Sequence, residues 1–210
     1  MELTSLTCDI LKEMFNISVG KSAKILSEII NKKIRLDVPR IKFLDSKNKD
    51  ELNSSFSNIP DGTLMLSSIS FSQRLNGEAK LIFPANKMKT FINLCLNEEN
   101  KGAENIEFTD MDFDIIREVG NIILNSIVGE MGNFLDINLN YTLPEVKVFD
   151  KEDFKRDIGS KEYFYMLMLY ITFIICDTEI EGAIIINLKT KNSYEQLMEI
   201  LKKMEDDLND

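Results

Sequence analysis

MDFDIIREVGNIILNSIVGEMGN, residues 111 to 133, spaces its apolar side chains as one long amphipathic helix, with Glu118 and Asn121 one turn apart on the polar side. The stretch has a twin near the N-terminus. CDILKEMFNISVGKSAKILSEII, residues 8 to 30, places Asp9, Glu13 and Asn16 where the later stretch places Asp114, Glu118 and Asn121. Each asparagine is followed after 22 residues by a proline, Pro39 in one case and Pro144 in the other, and every pair is offset by 105 residues. Gly77 and Gly182, each between two strand-like runs, share that offset and read as turn residues. From average usage, Glu, Asn and the spaced proline coincide at roughly one start position in several thousand. Two occurrences at one offset point to an internal duplication, and the repeated residues are the candidates for function.

The chain between and after these stretches fits two similar halves. In the first, a helix over about 5–31 with Leu11, Met14, Ile25, Leu26 and Ile29 as its apolar positions is capped by Thr4, Ser5 or Thr7. A strand over 34–43 carries Pro39 near its start or at a sheet edge, and a short helix fits Lys49 to Phe56. After the turn signal Pro60-Asp61-Gly62, strands over 63–72 and 77–83 form a hairpin at Asn76-Gly77, and a helix runs to about Leu96. The polar stretch 97–107 reads as a linker between repeats over about 5–96 and 109–203. In the second half Thr109 caps the long helix, Leu143 to Phe149 is a strand, and 151–159 is a partly helical connection. Runs 163–177 and 181–188 make a hairpin, 193–203 a helix, and 205–210 a charged tail expected to fray. A three-stranded half alone would expose an edge and an apolar face. Pairing both halves gives an α+β, two-layer fold: one sheet of about six strands, two long helices carrying the sites, and a pseudo-two-fold axis.

Composition narrows the chemistry. The chain has 210 residues, 44% apolar and 29% charged, ordinary values for a globular domain. A net charge of -10 argues against a nucleic-acid footprint, which needs clustered Lys and Arg. The longest apolar run, residues 163 to 176, has 14 residues and falls short of a spanning helix; with no signal-peptide pattern at the N-terminus, a cytoplasmic protein with no membrane segment is expected. The three cysteines, Cys8, Cys95 and Cys176, are scattered, and no histidine is present. The absence of imidazole excludes serine and cysteine triads and the usual zinc site. Mid-helix asparagine competes for backbone hydrogen bonds, so Asn16, Asn121 and Asn125 stand where propensity prefers other residues; the first-half counterpart of Asn125 is Gly20.

The pattern Asp-xxx-Glu-xx-Asn, then 22 residues and Pro, present twice, resembles the CheC-type phosphatases of the CheC/CheX/FliY family. The resemblance covers essentially the whole chain. It implies hydrolysis of the aspartyl phosphate of a CheY-type response regulator, in chemotaxis signal termination, by Glu118 with Asn121 and Glu13 with Asn16. Asparagine would orient the attacking water, and glutamate would dock the regulator's lysine. Magnesium would arrive with the regulator, and the chain would need no cofactor of its own. Asp9 and Asp114 either complement the helix dipole or assist docking, and Pro39 and Pro144 are structural. A CheD-type receptor deamidase is a further implied partner, without assigned residues. The duplication makes a monomer the expectation.

One departure from the family pattern bears on the two pairs. Gly120 precedes Asn121, where the family carries a small residue, but Phe15 precedes Asn16. Phe15 either packs beneath the helix or alters a partner's approach, which favours the second site. The alternative function is a non-catalytic adaptor or flagellar-switch-type module that binds the regulator or CheD. The lack of an N- or C-terminal extension points away from a rotor component such as FliY.

Overall fold

The computed structural model describes residues 4–59, 61–97, 107–160, 163 and 165–209. The expected linker 97–107 lies almost wholly outside them, as does Pro60 of the turn signal.

The first half runs α1 (Ser5–Ile30), β1 (Ile34–Asp45), α2 (Lys49–Phe56), β2 (Thr63–Gln73), β3 (Gly77–Pro84) and α3 (Ala85–Leu96). The second runs α4 (Asp110–Phe134), β4 (Leu139–Tyr141), β5 (Glu145–Asp150), α5 (Lys151–Ser160), β6 (Tyr165–Ile175), β7 (Thr178–Leu188) and α6 (Lys191–Asn209). All strands join one antiparallel sheet in the order β1-β6-β7-β3-β2, with β4 pairing along Phe71–Gln73 and β5 along Thr63–Ser68 of β2. The first strand of each half therefore pairs with the hairpin of the other half, β1 on β6 and β5 on β2.

Alternation along the strands builds two cores. Leu167, Leu169, Ile171 and Phe173 of β6 face the large core beneath α1, α3, α4 and α6. Met166, Met168 and Tyr170 face a smaller one closed by Leu52 and Phe56 of α2 and Phe154 and Ile158 of α5. The short helices thus add a partial third layer to the expected two.

Local chemistry sets the helix boundaries. The Thr4 hydroxyl accepts from the Thr7 N–H at 3.1 Å, which selects it among the three candidate caps of α1. Thr109 and Asp112 form a reciprocal capping box at the start of α4.

Several sequence expectations need correction. The charged tail from Glu205 to Asn209 does not fray but continues α6, and the Glu205 carboxylate accepts from the Thr4 and Thr7 hydroxyls at the start of α1. Neither paired glycine is a turn residue. Gly77 is the first residue of β3, and Gly182 lies inside β7, where an added Cβ would meet the Phe83 ring at 2.3 Å. The β6–β7 turn is instead Cys176-Asp177, with φ of 47° and 61°, the left-handed pair that a two-residue hairpin demands. Ile25 and Ile29, two of the apolar positions that mark the first helix, are solvent-exposed.

Candidate functional site

The long helices α1 and α4 lie side by side and antiparallel. The Ser22 hydroxyl of α1 donates to the Ile122 carbonyl of α4 at 3.5 Å. Further along, a groove of about 580 Å³ is lined by Leu6 to Ile17 of α1 and by Glu130 to Phe134 of α4. The N-terminal half of α1 therefore runs beside the C-terminal half of α4, and Ile25 and Ile29 run beside the start of α4. Glu13 and Glu118 are exposed on this layer, and Asn16 and Asn121 are half-buried. Each Glu–Asn pair is at i and i+3, so its Cβ atoms are about 5–6 Å apart.

The two asparagines are held differently. The Val38 N–H donates to Asn16 Oδ1 at 3.0 Å. This bond accounts for the spaced proline. The β1–β6 register shifts between Asp37 and Arg40, leaving Val38 and Pro39 as a bulge on an edge strand. Pro39 has no N–H to lose there, and the bulge frees the Val38 N–H for the helix. Pro144 stands at a similar break, between β4 and β5, but the preceding Leu143 is 84% exposed and makes no such bond to Asn121. Instead Asn125 Nδ2 donates to Asn121 Oδ1 at 2.6 Å. Neither Asn16 nor Asn121 has a partner for its NH2 group among the described residues.

The residues before the asparagines answer to the sheet, not to the outer surface. Phe15 is wholly buried in the large core. Gly120 is also buried, and a Cβ there would sit 2.1 Å from Ser67 Oγ of β2. Phe15 therefore packs beneath its helix, and the reason for ranking the first pair below the second disappears. Asp114 pairs with Arg117 one turn on, whereas exposed Asp9 lines the groove with Glu13.

Apolar side chains flank both pairs. Ile17, Ile25, Ile29 and Met111 are 42–63% exposed, on the two long helices. The sequence marks Ile25 and Ile29 as apolar helix positions, but a repeating apolar position on a helix does not reveal which stripe meets the sheet. Val38 was also missed, although the fixed distance from Asn16 to Pro39 was its signal. Burial pushes the Cys8 thiol up, helped by Asp9, and pushes Cys95 up to about 12, so neither is a thiolate nucleophile at neutral pH. No group of three potential His, Cys, Asp or Glu metal ligands occurs among the described residues.

Comparison with known proteins places this arrangement. CheC of Bacillus subtilis strain 168, described as a CheY-P phosphatase, is 28% identical over 142 residues, 67% of this chain. In sequence and in fold the chain resembles the CheC/CheX/FliY family. The match spans 65% of that CheC, just under two thirds of its length. Thermotoga maritima FliY superposes with a TM-score of 0.74 at 19% identity, covering 97% of this chain and 99% of that one. FliM from H. pylori, solved in a complex with SpeE, gives a TM-score of 0.63 at 10% identity, covering 98% and 97%. No family model matches the chain. No helix among the described residues is long and apolar enough to cross a membrane.

Proposed function

We propose that this protein hydrolyses the aspartyl phosphate of a CheY-type response regulator, using Glu118 with Asn121 and Glu13 with Asn16. One observation carries the reading: two antiparallel helices each present an exposed glutamate one turn before an asparagine whose NH2 group is unengaged among the described residues. A lone carboxamide beside a carboxylate on an open surface suits a macromolecular substrate that brings its own reactive group. The substrate is an acyl phosphate. Water attacks phosphorus in line, the bond from phosphorus to the aspartyl oxygen breaks, and the products are a carboxylate and inorganic phosphate. The leaving group needs no proton, so the catalyst's task is positioning and electrostatics.

In this reading Asn16 or Asn121 aligns the water, its oxygen retaining one lone pair beyond the internal bond. Glu13 or Glu118 pairs with the regulator's lysine and fixes the register. Magnesium comes with the regulator. Ile25, Ile29 and Met111 supply the apolar part of the docking surface at the second pair, and the groove beside Asp9 and Glu13 supplies it at the first. The whole chain acts as one cytoplasmic domain of two repeats, 5–96 and 109–203, related by a pseudo-two-fold axis, and works as a monomer. CheD-type deamidases are candidate partners.

The likeness to FliY and FliM supports a second reading, a module that binds the regulator without hydrolysing it. Decay of a phosphorylated CheY-type regulator separates the two. Accelerated phosphate release with catalytic amounts of protein supports the phosphatase; saturable binding with an unchanged phosphoryl lifetime supports the module.

A further inference from the structure

Asn125 is a polar side chain of α4 that the proposed chemistry does not use. Its Nδ2 donates to Asn121 Oδ1 at 2.6 Å, and its own Oδ1 is buried with no partner. A buried acceptor left unpaired is destabilising, so on packing grounds an apolar side chain would serve better. The equivalent residue of α1 is Gly20, where an added Cβ would meet nothing within 4 Å. That asparagine is not needed there, because Asn16 already receives the Val38 N–H. At the second pair the matching backbone donor is missing, and Leu143 stands out in solvent.

We propose that Asn125 is a positioning residue for Asn121, doing from within α4 what the bulged strand does for Asn16. The inference rests on the phosphatase reading. By occupying one lone pair of Asn121 Oδ1, Asn125 fixes which edge of the carboxamide meets water and which meets the phosphoryl oxygens. The two pairs are therefore not equivalent: one is oriented by backbone, the other by a side chain that substitution can remove without disturbing a strand.

The test uses the full chain carrying Asn16→Ala, so that only the second pair works. Phosphate release is measured against concentration of a phosphorylated CheY-type regulator, together with thermal unfolding. Asn125→Leu keeps the volume and deletes both polar atoms; Asn125→Asp keeps the shape but accepts from Asn121 where asparagine donated. Both are expected to lower kcat between about ten- and a hundredfold with KM within about twofold, the usual scale for losing a group that orients a reacting one. Asn125→Leu is also expected to unfold no earlier than its parent, since it removes an unpaired acceptor. A structural role would instead lower the unfolding temperature along with kcat. Unchanged kcat in both variants overturns the positioning role while leaving the phosphatase reading intact. An inactive Asn16→Ala parent beside an active wild type overturns any role for this pair, and an inactive wild type overturns the phosphatase reading itself.

Discussion

At the scale of single residues, the two helices meet the sheet under different constraints although they present similar outer faces. Gly120 is fixed by Ser67, whose hydroxyl would lie 2.1 Å from an added Cβ, so Gly120→Ala forces helix and strand apart. Overpacking of this kind costs roughly 1–3 kcal/mol. Gly20 has open space, so Gly20→Ala is expected to stabilise by about 0.4–1 kcal/mol through lower entropy of the unfolded chain. Urea unfolding of the two variants should therefore move in opposite directions. Phe15 fills the core beneath α1, and its truncation to alanine should cost about 3–5 kcal/mol. Phe15→Leu should cost far less and leave phosphate release at the first pair intact, because no atom of the ring reaches the surface a partner would meet.

At the scale of elements, the start of α4 is held by chemistry that acid removes. Burial pushes the Asp112 carboxyl up, but the Lys89 ammonium at 2.7 Å and the Thr109 N–H and hydroxyl outweigh it and hold the group below the ordinary carboxylate range. A folded-state pKa below the unfolded value gives stability that is full above the unfolded pKa and is lost as pH falls through the folded one. Unfolding free energy should therefore drop below about pH 5, and Asp112→Asn should flatten that slope. The exposed isoleucines and Met111 carry the docking prediction: Ile25→Glu or Met111→Glu should raise the regulator concentration needed for half-maximal rate, with unfolding unchanged. The long helices, the strands and the Thr109 cap were legible in the sequence, and Thr4 as one of three candidate caps, because periodicity and capping are local. Which helix stripe faces outward was not, since Ile25 and Ile29 have the spacing of core residues and only the antiparallel packing of α1 on α4 reveals their exposure. Nor was the fate of the acidic tail, whose order depends on Glu205 meeting two threonines some 200 residues earlier in the chain.

At the scale of the molecule, β1 pairs with β6 and β5 with β2, so each half completes its sheet on the other. A fragment ending at residue 97 would leave β1 without its pairing strand and the large core without α4. Such a fragment should fail to show a cooperative unfolding transition, and co-expression with the second half should restore it. This exchange was not legible in the sequence, because pairing between distant strands leaves no trace in local pattern. The repeat also hid a difference: the shared Asn-to-Pro spacing yields a backbone bond at Asn16 and none at Asn121, whose oxygen is met by Asn125. The central claim is that the Glu–Asn pairs hydrolyse a regulator's aspartyl phosphate. It is tested most directly by phosphate release from a phosphorylated CheY-type regulator with wild type, Asn16→Ala, Asn121→Ala and the double variant. The account predicts acceleration by wild type, partial loss in at least one single variant, and a rate reduced by about a hundredfold or more in a folded double variant. A double variant as fast as wild type, or a wild type that leaves the phosphoryl lifetime unchanged, would contradict it.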